Sequence, residues 1–551
     1  MEILLTILIL TLVVSLTSVL TRLSPVQIPL PLIQIAAGAV LAQPIFGLHV
    51  EFNPELFLLL FIPPLLFAES SKIQPKELIK HSREIISLAL VVLVLITIFG
   101  VGYVIHLLLP NVPLIAAFAL AAVLSPTDAV ALLGIVGKGR ISKNIQEVLE
   151  GEALMNDASG LVALKFAVAV TMGTMEFSVH GATIAFFVVA LGGIAVGIAV
   201  TWLYGKGLLL ISRYAHDEPS IQIVLMLLLP FIVYLVAEHF GLSGILAAVA
   251  AGLTTSRIGV VHHAPIRLRI KAKSSWSMLE YVFNGMVFLI LGLQLPGIIS
   301  ESLIRAENDP LVDTGSLLLD VIWIYLALMV VRLGWLWLMR LYSRKRPGKH
   351  PMLFAGYKTR HMLLATFAGV RGAITLAGVL SIPLLLPDGT PFPGRYLLVF
   401  LATGVILFSL VCGIIILPLL LGKNVGIFSD NRQKEEEAAD LFMAKMAILS
   451  VQKTEQRLLR TSTENLDNEL IMETGARVIG YMRRSEDDMS ENDNSLHMQR
   501  AKLERTFNLA ALNARRAAIY QMRARQEVSD ETLAKIVSEL DVLETLIMDS
   551  R

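Results

Sequence analysis

LSPTDAVALLG, residues 124–134, is the stretch on which the fold turns. It continues the apolar run LIAAFALAAVL (114–124), which alone would start a membrane-crossing helix. Pro126 then removes a backbone donor and breaks the helical hydrogen-bond ladder. Asp128 puts a carboxyl in the middle of the apolar segment. Non-helical backbone at membrane depth is tolerated only where it faces protein or a water-filled cavity. The stretch therefore predicts a crossing helix interrupted near Pro126, with the interruption turned inward. A second such segment is FAGVRGAITLAG (367–378), where Gly369, Gly372 and Gly378 surround Arg371. Two Gly/Pro-interrupted apolar segments in corresponding positions of two halves point to the binding site of a transporter. Each is followed by one more apolar helix, at 146–172 and 396–421, the pattern of an inverted repeat, although the halves share no visible residue-by-residue similarity.

The rest of the chain fits this frame. Of its 551 residues 55% are hydrophobic and 17% charged, against roughly a quarter charged in a soluble protein. The charge is uneven, with apolar blocks and short polar breaks up to Leu421 and a charge-rich sequence from Lys423 onward. The expected organisation is a polytopic membrane domain at 1–422 and a cytoplasmic helical tail at 423–551. MEILLTILILTLVVSLTSVL lacks a basic leader region and its apolar run is too long for a signal peptide, so it reads as the first span. The one cysteine, Cys412, excludes an intramolecular disulfide framework and a cysteine-based metal site.

With about 20 apolar residues per crossing, thirteen spans are expected, centred near residues 12, 35, 61, 96, 124, 160, 191, 229, 248, 287, 329, 373 and 408. Alternate connections are basic: Arg22; Lys72 to Arg83; Lys138, Arg140 and Lys143; Lys206 and Arg213; Arg257 to Lys273; and the cluster from Arg340 to Arg360. The connections between them hold no Lys or Arg except Arg305 and Arg395. The positive-inside rule places the basic side in the cytoplasm. The N-terminus is then outside and the tail inside, and an odd number of spans is required.

GEALMNDASG (151–160) adds Glu152, Asn156 and Asp157 just ahead of the apolar run LVALKFAVAV. A carboxylate at mid-bilayer costs at least ~2.5–3.5 kcal/mol on insertion scales. On a helix Glu152 and Asn156 share a face, and Asp157 is turned about 100° from Asn156. Burial favours the neutral acid, whereas a bound cation favours the ionised form. One carboxyl can then hold either a proton or a cation, and with alternating access that competition is sufficient for exchange. Hard monovalent cations want oxygen ligands, which Asp157, Thr127 and carbonyls freed at the break could supply. Each residue also has a structural reading: Asp128 as the cap of a half-helix, Arg371 as the neutraliser of a carboxylate, and GEALMND as a polar knot that pins helices together. Glu238 is the expected partner of Arg371, because an unpaired buried charge is so costly. Glu69, His239 and Arg332 are further intramembrane ionisable groups, and Lys165 is either a counter-ion or a snorkelling side chain.

Taken together, IPLPLIQIAAGAVLA, LFIPPLLFAES, SPTDAVA, GEALMNDASG, AEHFGLSGILAAVAAG and GVRGAITLA make residues 1–422 resemble bacterial sodium–proton antiporters of the cation–proton antiporter-1 family, relatives of the animal sodium–proton exchangers. The resemblance implies an all-α membrane protein with inverted repeats, and a homodimer in which a core domain moves against a dimerisation domain. It implies that Asp157 binds the ion and the proton, beside the amide of Asn156, with Thr127 and Asp128 at the crossing of two unwound helices. It implies further that Glu152 heads the family's Glu-Ser-x-x-Asn-Asp pattern, that Glu238 and Arg371 form a structural ion pair, and that the Asn-Asp form exchanges ions electroneutrally. Ala153 stands where the family has Ser, removing one hydroxyl ligand, and Ala129 stands where Pro is common, which would soften the break.

The expected substrates are Na⁺ (or K⁺ or Li⁺) and H⁺, moved across the inner membrane in a lipid setting. A gated cation channel, or a membrane sensor signalling through the tail, is the alternative. The tail reads as helices, with a capping box at Thr461–Glu464, an acidic loop SEDDMSENDN and a last helix, LAKIVSELDVLETLIM. No nucleotide loop, metal spacing or catalytic constellation is present, so neither a cofactor, an enzymatic activity nor a nucleic-acid partner is expected.

Overall fold

The computed structural model describes residues 2–23, 29–44, 54–73, 82–137, 140–141, 143–173, 179–214, 219–258, 266–307, 314–345, 359–421, 445–459, 470–480, 494–525 and parts of 533–544. The chain divides into two compact units, Met1–Val425 and Gly426–Arg551.

The first unit builds its described residues into helices joined by short non-helical segments, with one isolated β-bridge between Leu385 and Pro391. In chain order its helices are α1 (Glu2–Leu23), α2 (Leu30–Leu41), α3 (Pro54–Lys72) and α4 (Ser82–Ile86), then a π-helical stretch (Ser87–Val101) and α5 (Gly102–Leu108). These are followed by α6 (Leu114–Leu124), α7 (Ala129–Val136), α8 (Lys143–Thr171), α9 (Val179–Tyr214), α10 (Pro219–His239), α11 (Gly244–Ile258) and α12 (Ile266–Glu307). The unit ends with α13 (Thr314–Lys345), α14 (Thr359–Phe367), α15 (Ala373–Leu380) and α16 (Arg395–Leu421). Among the described residues seven helices are long and apolar enough to cross a membrane, and Leu30–Leu41, Leu95–Leu108, Leu114–Leu124 and Gly244–Ile258 are shorter apolar helices. Large side chains such as Leu12, Leu191, Val330 and Leu419 are exposed along these helices. In water such a surface would be a liability, whereas in lipid it is the solvated face.

Both interruptions are present. The chain leaves the helix between α6 and α7, at Ser125–Asp128, and between α14 and α15, at Ala368–Gly372. The expected softening at Ala129 does not occur: Ala129 is the first residue of α7, and the Asp128 carboxylate caps that helix by accepting from the Ala131 amide at 2.8 Å. Pro126 and the cap are enough to end one helix and start another without a second proline.

Two groups of helices pack densely within themselves. One contains α1, α2, α3 and α9–α12; the other contains α4–α8, the π-helical stretch and α13–α16. In the first group backbones meet directly. Cβ atoms on Gly38 and Gly292 would run into the Leu289 and Ile35 carbonyls, so α2 and α12 cross at glycine on both sides. Lipid is as apolar as leucine, so helices in a membrane gain by close van der Waals packing at small residues rather than by burying apolar surface. In the second group, arginines bind the carbonyls at helix C-terminal ends. Arg395 Nε donates to Ile382 O (2.8 Å) just past α15, and Arg360 Nε donates to Leu420 O at the end of α16.

The second unit contains α-helix Asn494–Ala524 and helical stretches at 445–459 and 470–480. Arg516 Nη2 reaches Asp541 (2.6 Å) and Glu544 (2.5 Å). The Thr461–Glu464 capping box and nearly all of the acidic loop lie outside the described residues.

Candidate functional site

The two interruptions clasp each other through backbone. The Asp128 amide donates to Val370 O at 2.7 Å, tying one break to the other. Gly372, the residue before α15, lies so close to the Asp128 carboxylate that a Cβ there would overlap it. The Asp128 carboxylate thus lies between the N-terminal ends of α7 and α15, where the partial positive charge of a helix end favours an anion. The C-terminal ends of the other two half-helices are matched by cations. Arg371 is fully buried; its Nε donates to Leu124 O, the last residue of α6 (3.2 Å), and its Nη1 donates to Gly369 O (2.5 Å). Arg332, 1% exposed, donates from Nε to Ala365 O in the last turn of α14 (2.9 Å). Two guanidinium groups and a carboxylate therefore answer all four helix ends that the breaks create.

Helix α8 runs past this crossing. Gly160 faces Ser125, Pro126 and the Ala122 carbonyl so closely that a Cβ there would lie within 2.8–3.0 Å of them. On the same helix Asn156 bonds the first break twice: its Nδ2 donates to Thr127 Oγ1 (3.0 Å) and its Oδ1 accepts from the Thr127 amide (3.4 Å). Glu152, fully buried, meets Arg332 with both oxygens, Oε2 at 2.8 Å from Nη2 and Oε1 against Nη1. Asp157 is 4% exposed, and its carboxylate has no hydrogen-bond partner among the described residues. The charges that bear on it are those of Glu69, Asp128 and Glu152, all acidic. A buried carboxyl with no cation of its own can hold a proton, or admit a cation from solution.

The expected ion pair between Glu238 and Arg371 is not formed. Glu238 instead binds Lys165 Nζ with both oxygens, at 2.8 and 3.0 Å, and its Oε1 accepts from the Gly244 amide at 3.3 Å. The reason is depth. Glu238 is the second-last residue of α10, whereas Arg371 lies in an interruption in the middle of its span. Two charges on membrane helices pair only at matched depth, and Lys165 in the last third of α8 matches Glu238. Arg332 and Glu69 are the functional-site residues that reasoning from sequence left without a role. Thr127, Asp128, Asn156, Asp157 and Glu152 come together at the crossing, with Arg371 but without Glu238.

Comparison with known proteins identifies the family and the fold. Residues 8–422 match the sodium/hydrogen exchanger transmembrane family. The chain is 59% identical over 550 residues to an uncharacterized Na⁺/H⁺ exchanger of Escherichia coli strain K12, YjcE, covering all of both chains. It is 36% identical over 558 residues to a sodium, potassium, lithium and rubidium/H⁺ antiporter of Bacillus pumilus, covering all of this chain and 79% of the relative. The sodium proton antiporter MjNhaP1 of Methanocaldococcus jannaschii has the same fold, with a TM-score of 0.54 at 19% identity over 77% of this chain and 100% of that one. The chain belongs to the sodium/hydrogen exchanger family of multi-pass membrane antiporters.

Proposed function

We propose that the protein exchanges Na⁺ for H⁺ at Asp157 by alternating access, with residues 1–422 as the exchanging domain and residues 423–551 as a cytoplasmic tail. The observation that carries this reading is a buried carboxylate with no cationic partner, beside two broken helices whose own ends are all neutralised by protein groups. Because the helix ends are already satisfied, Asp157 is the carboxyl at the crossing that caps no helix and is bonded to no protein group, while Arg371 Nη2 is a buried donor that is likewise left without a partner among the described residues. Protonated, Asp157 is neutral and can cross the low-dielectric interior. Ionised, it needs a cation, for which Thr127 Oγ1, Glu69 and the carbonyls of the breaks are the available oxygen ligands. Asn156 holds Thr127 in place for that task, and Glu152 is structural, its oxygens being committed to Arg332.

One carboxyl exchanging one proton for one monovalent cation gives electroneutral one-for-one transport. Li⁺ and K⁺ compete with Na⁺ at a site built only from oxygens. Thirteen spans, an outside N-terminus, an inner-membrane location and a homodimer complete the proposal; the charge alternation of the connections supports the topology, and the family resemblance supports the dimer. Full-length protein in proteoliposomes, loaded with a pH-sensitive dye and given a Na⁺ gradient, tests it. Asp157→Asn, which keeps the shape and loses the charge, is expected to cut Na⁺-driven proton movement at least about a hundredfold, consistent with loss of an indispensable group. Exchange at wild-type rate in that variant would overturn the mechanism.

A further inference from the structure

Lys165 and Glu238 join the two helix groups. Lys165 lies on α8, which packs against α6 and the π-helical stretch; Glu238 ends α10, which packs with α3, α9 and α11. Where α8 meets α9 and α11 the contact is sparse, and a cavity of about 190 Å³ opens there. Its lining includes Leu161, Lys165, Glu238, Leu242, Ser243 and Ile245. Leu161 is one helical turn beyond Asp157, and Lys165 is one turn further, so the cavity lies along α8 about 6–12 Å from the proposed ion site. The connections at 174–180 and 240–241, which follow α8 and α10, carry no Lys or Arg and so face away from the basic side. The lysine and glutamate side chains are 55% and 32% exposed, at the rim of the cavity rather than beneath it.

We infer that Lys165 is a tethered cation that closes the outer access route to Asp157: bound to Glu238, it ties the helix group of α8 to the helix group of α10 and occupies the carboxylate that an incoming external cation meets first. This rests on the exchange reading above and adds to it a residue that sets how the protein divides its time between inward- and outward-facing states. The chemistry is economical. A lysine ammonium is a fixed-concentration competitor for Glu238, and its aliphatic stem covers the apolar cavity wall while the head stays at the wet rim. A state that is only fractionally populated binds its ligand with an affinity reduced by that fraction. Holding the outer route shut therefore weakens apparent affinity for external cation and strengthens it for internal cation. Opening the latch must move the two in opposite directions.

The experiment compares wild type with Lys165→Met and Glu238→Gln, full-length and reconstituted in one orientation, and measures the KM for Na⁺ separately on each face. Lys165→Met keeps the stem that packs on the cavity, and Glu238→Gln keeps an acceptor for Gly244, so each preserves the local packing. Both are expected to lower the outer KM about two- to fivefold and raise the inner KM, the size of effect a rim ion pair supports. A double variant, Lys165→Glu with Glu238→Lys, rebuilds the pair and is expected to return both values to within twofold of wild type. If neither KM moves, or both move the same way, the latch is wrong, because a merely structural contact would not shift the two faces oppositely. If the wild type itself shows no Na⁺-driven proton movement, the exchange reading fails and the latch falls with it; normal exchange with unmoved KM values overturns the latch alone.

Discussion

The α2–α12 crossing and the crossing of the two interruptions are held by different means. Around α2 and α12 the backbone of one helix touches the backbone of the other through glycine, with no charge at the crossing. Around the interruptions, contact is polar and buried: Arg332 with Glu152 and the α14 carbonyl, Arg371 with the α6 carbonyl, Asn156 with Thr127. Glycine packing is short-range and has one good register, so it suits a frame. A buried ionic network costs more to build, because desolvation offsets much of the Coulomb gain. That cost is intelligible where backbone must stay unwound at membrane depth and an ion must be handled beside it. The glycine-packed group has the chemistry of a frame, and the charge-stitched group holds the candidate site.

The sharpest way to break this contrast is to remove one member of a buried pair. Arg332→Met leaves Glu152 fully buried and uncompensated and frees the Ala365 carbonyl. Breaking such a pair from one side is expected to cost about 3–5 kcal/mol, which should appear as a large drop in the thermal midpoint measured in detergent and as little protein in the membrane. The double variant Arg332→Met with Glu152→Leu removes both charges and should recover most of that loss. A double variant no more stable than the single would mean that Arg332 acts mainly on the α14 carbonyl rather than on Glu152.

A smaller effect is expected in the frame. Gly292→Val places side-chain atoms into the Ile35 carbonyl and must push α2 from α12. Overpacking of this kind typically costs about 1–3 kcal/mol, so the detergent melt should fall by less than for Arg332→Met, while the Na⁺ KM of the protein that remains folded stays unchanged. A changed KM would show that the frame is coupled to the site more tightly than its chemistry suggests.

The two regions also differ in how much of them the sequence discloses. Interruptions carry local signals, Pro126 in one and Gly369 and Gly372 in the other, and both breaks are where those residues put them. GEALMND likewise announces a polar cluster, because Glu, Asn and Asp in an apolar run have no cheap alternative. Partner choice is another matter. Glu238 and Arg371 were natural partners by charge alone, yet depth separates them, and depth is set by where each helix begins and how far it runs. Arg332 shows the same gap: a lone arginine in α13 gives no sign that it faces Glu152 until the helices are packed. The glycine crossing of α2 and α12 was hidden for the same reason, since Gly38 and Gly292 acquire meaning only as neighbours.

Asp128 stands between the two modes of binding, and its substitution has the smallest effect expected here on stability. Its carboxylate caps α7 through the Ala131 amide, and its charge is also one of those felt at Asp157. The two roles separate chemically. Asparagine caps a helix about as well as aspartate, whereas alanine does not, at a typical cost of about 1 kcal/mol. Asp128→Ala should therefore lower the melting midpoint modestly, and Asp128→Asn should leave it nearly unchanged. If capping is all that Asp128 does, the Asn variant will exchange Na⁺ for H⁺ with wild-type kinetics in proteoliposomes. If its charge also helps to hold the cation near Asp157, the Asn variant will keep its stability and show a raised KM for Na⁺. The second outcome is the one the geometry favours, because a carboxylate needed only as a cap would have no reason to sit against Gly372, where it meets the end of a second half-helix as well as its own.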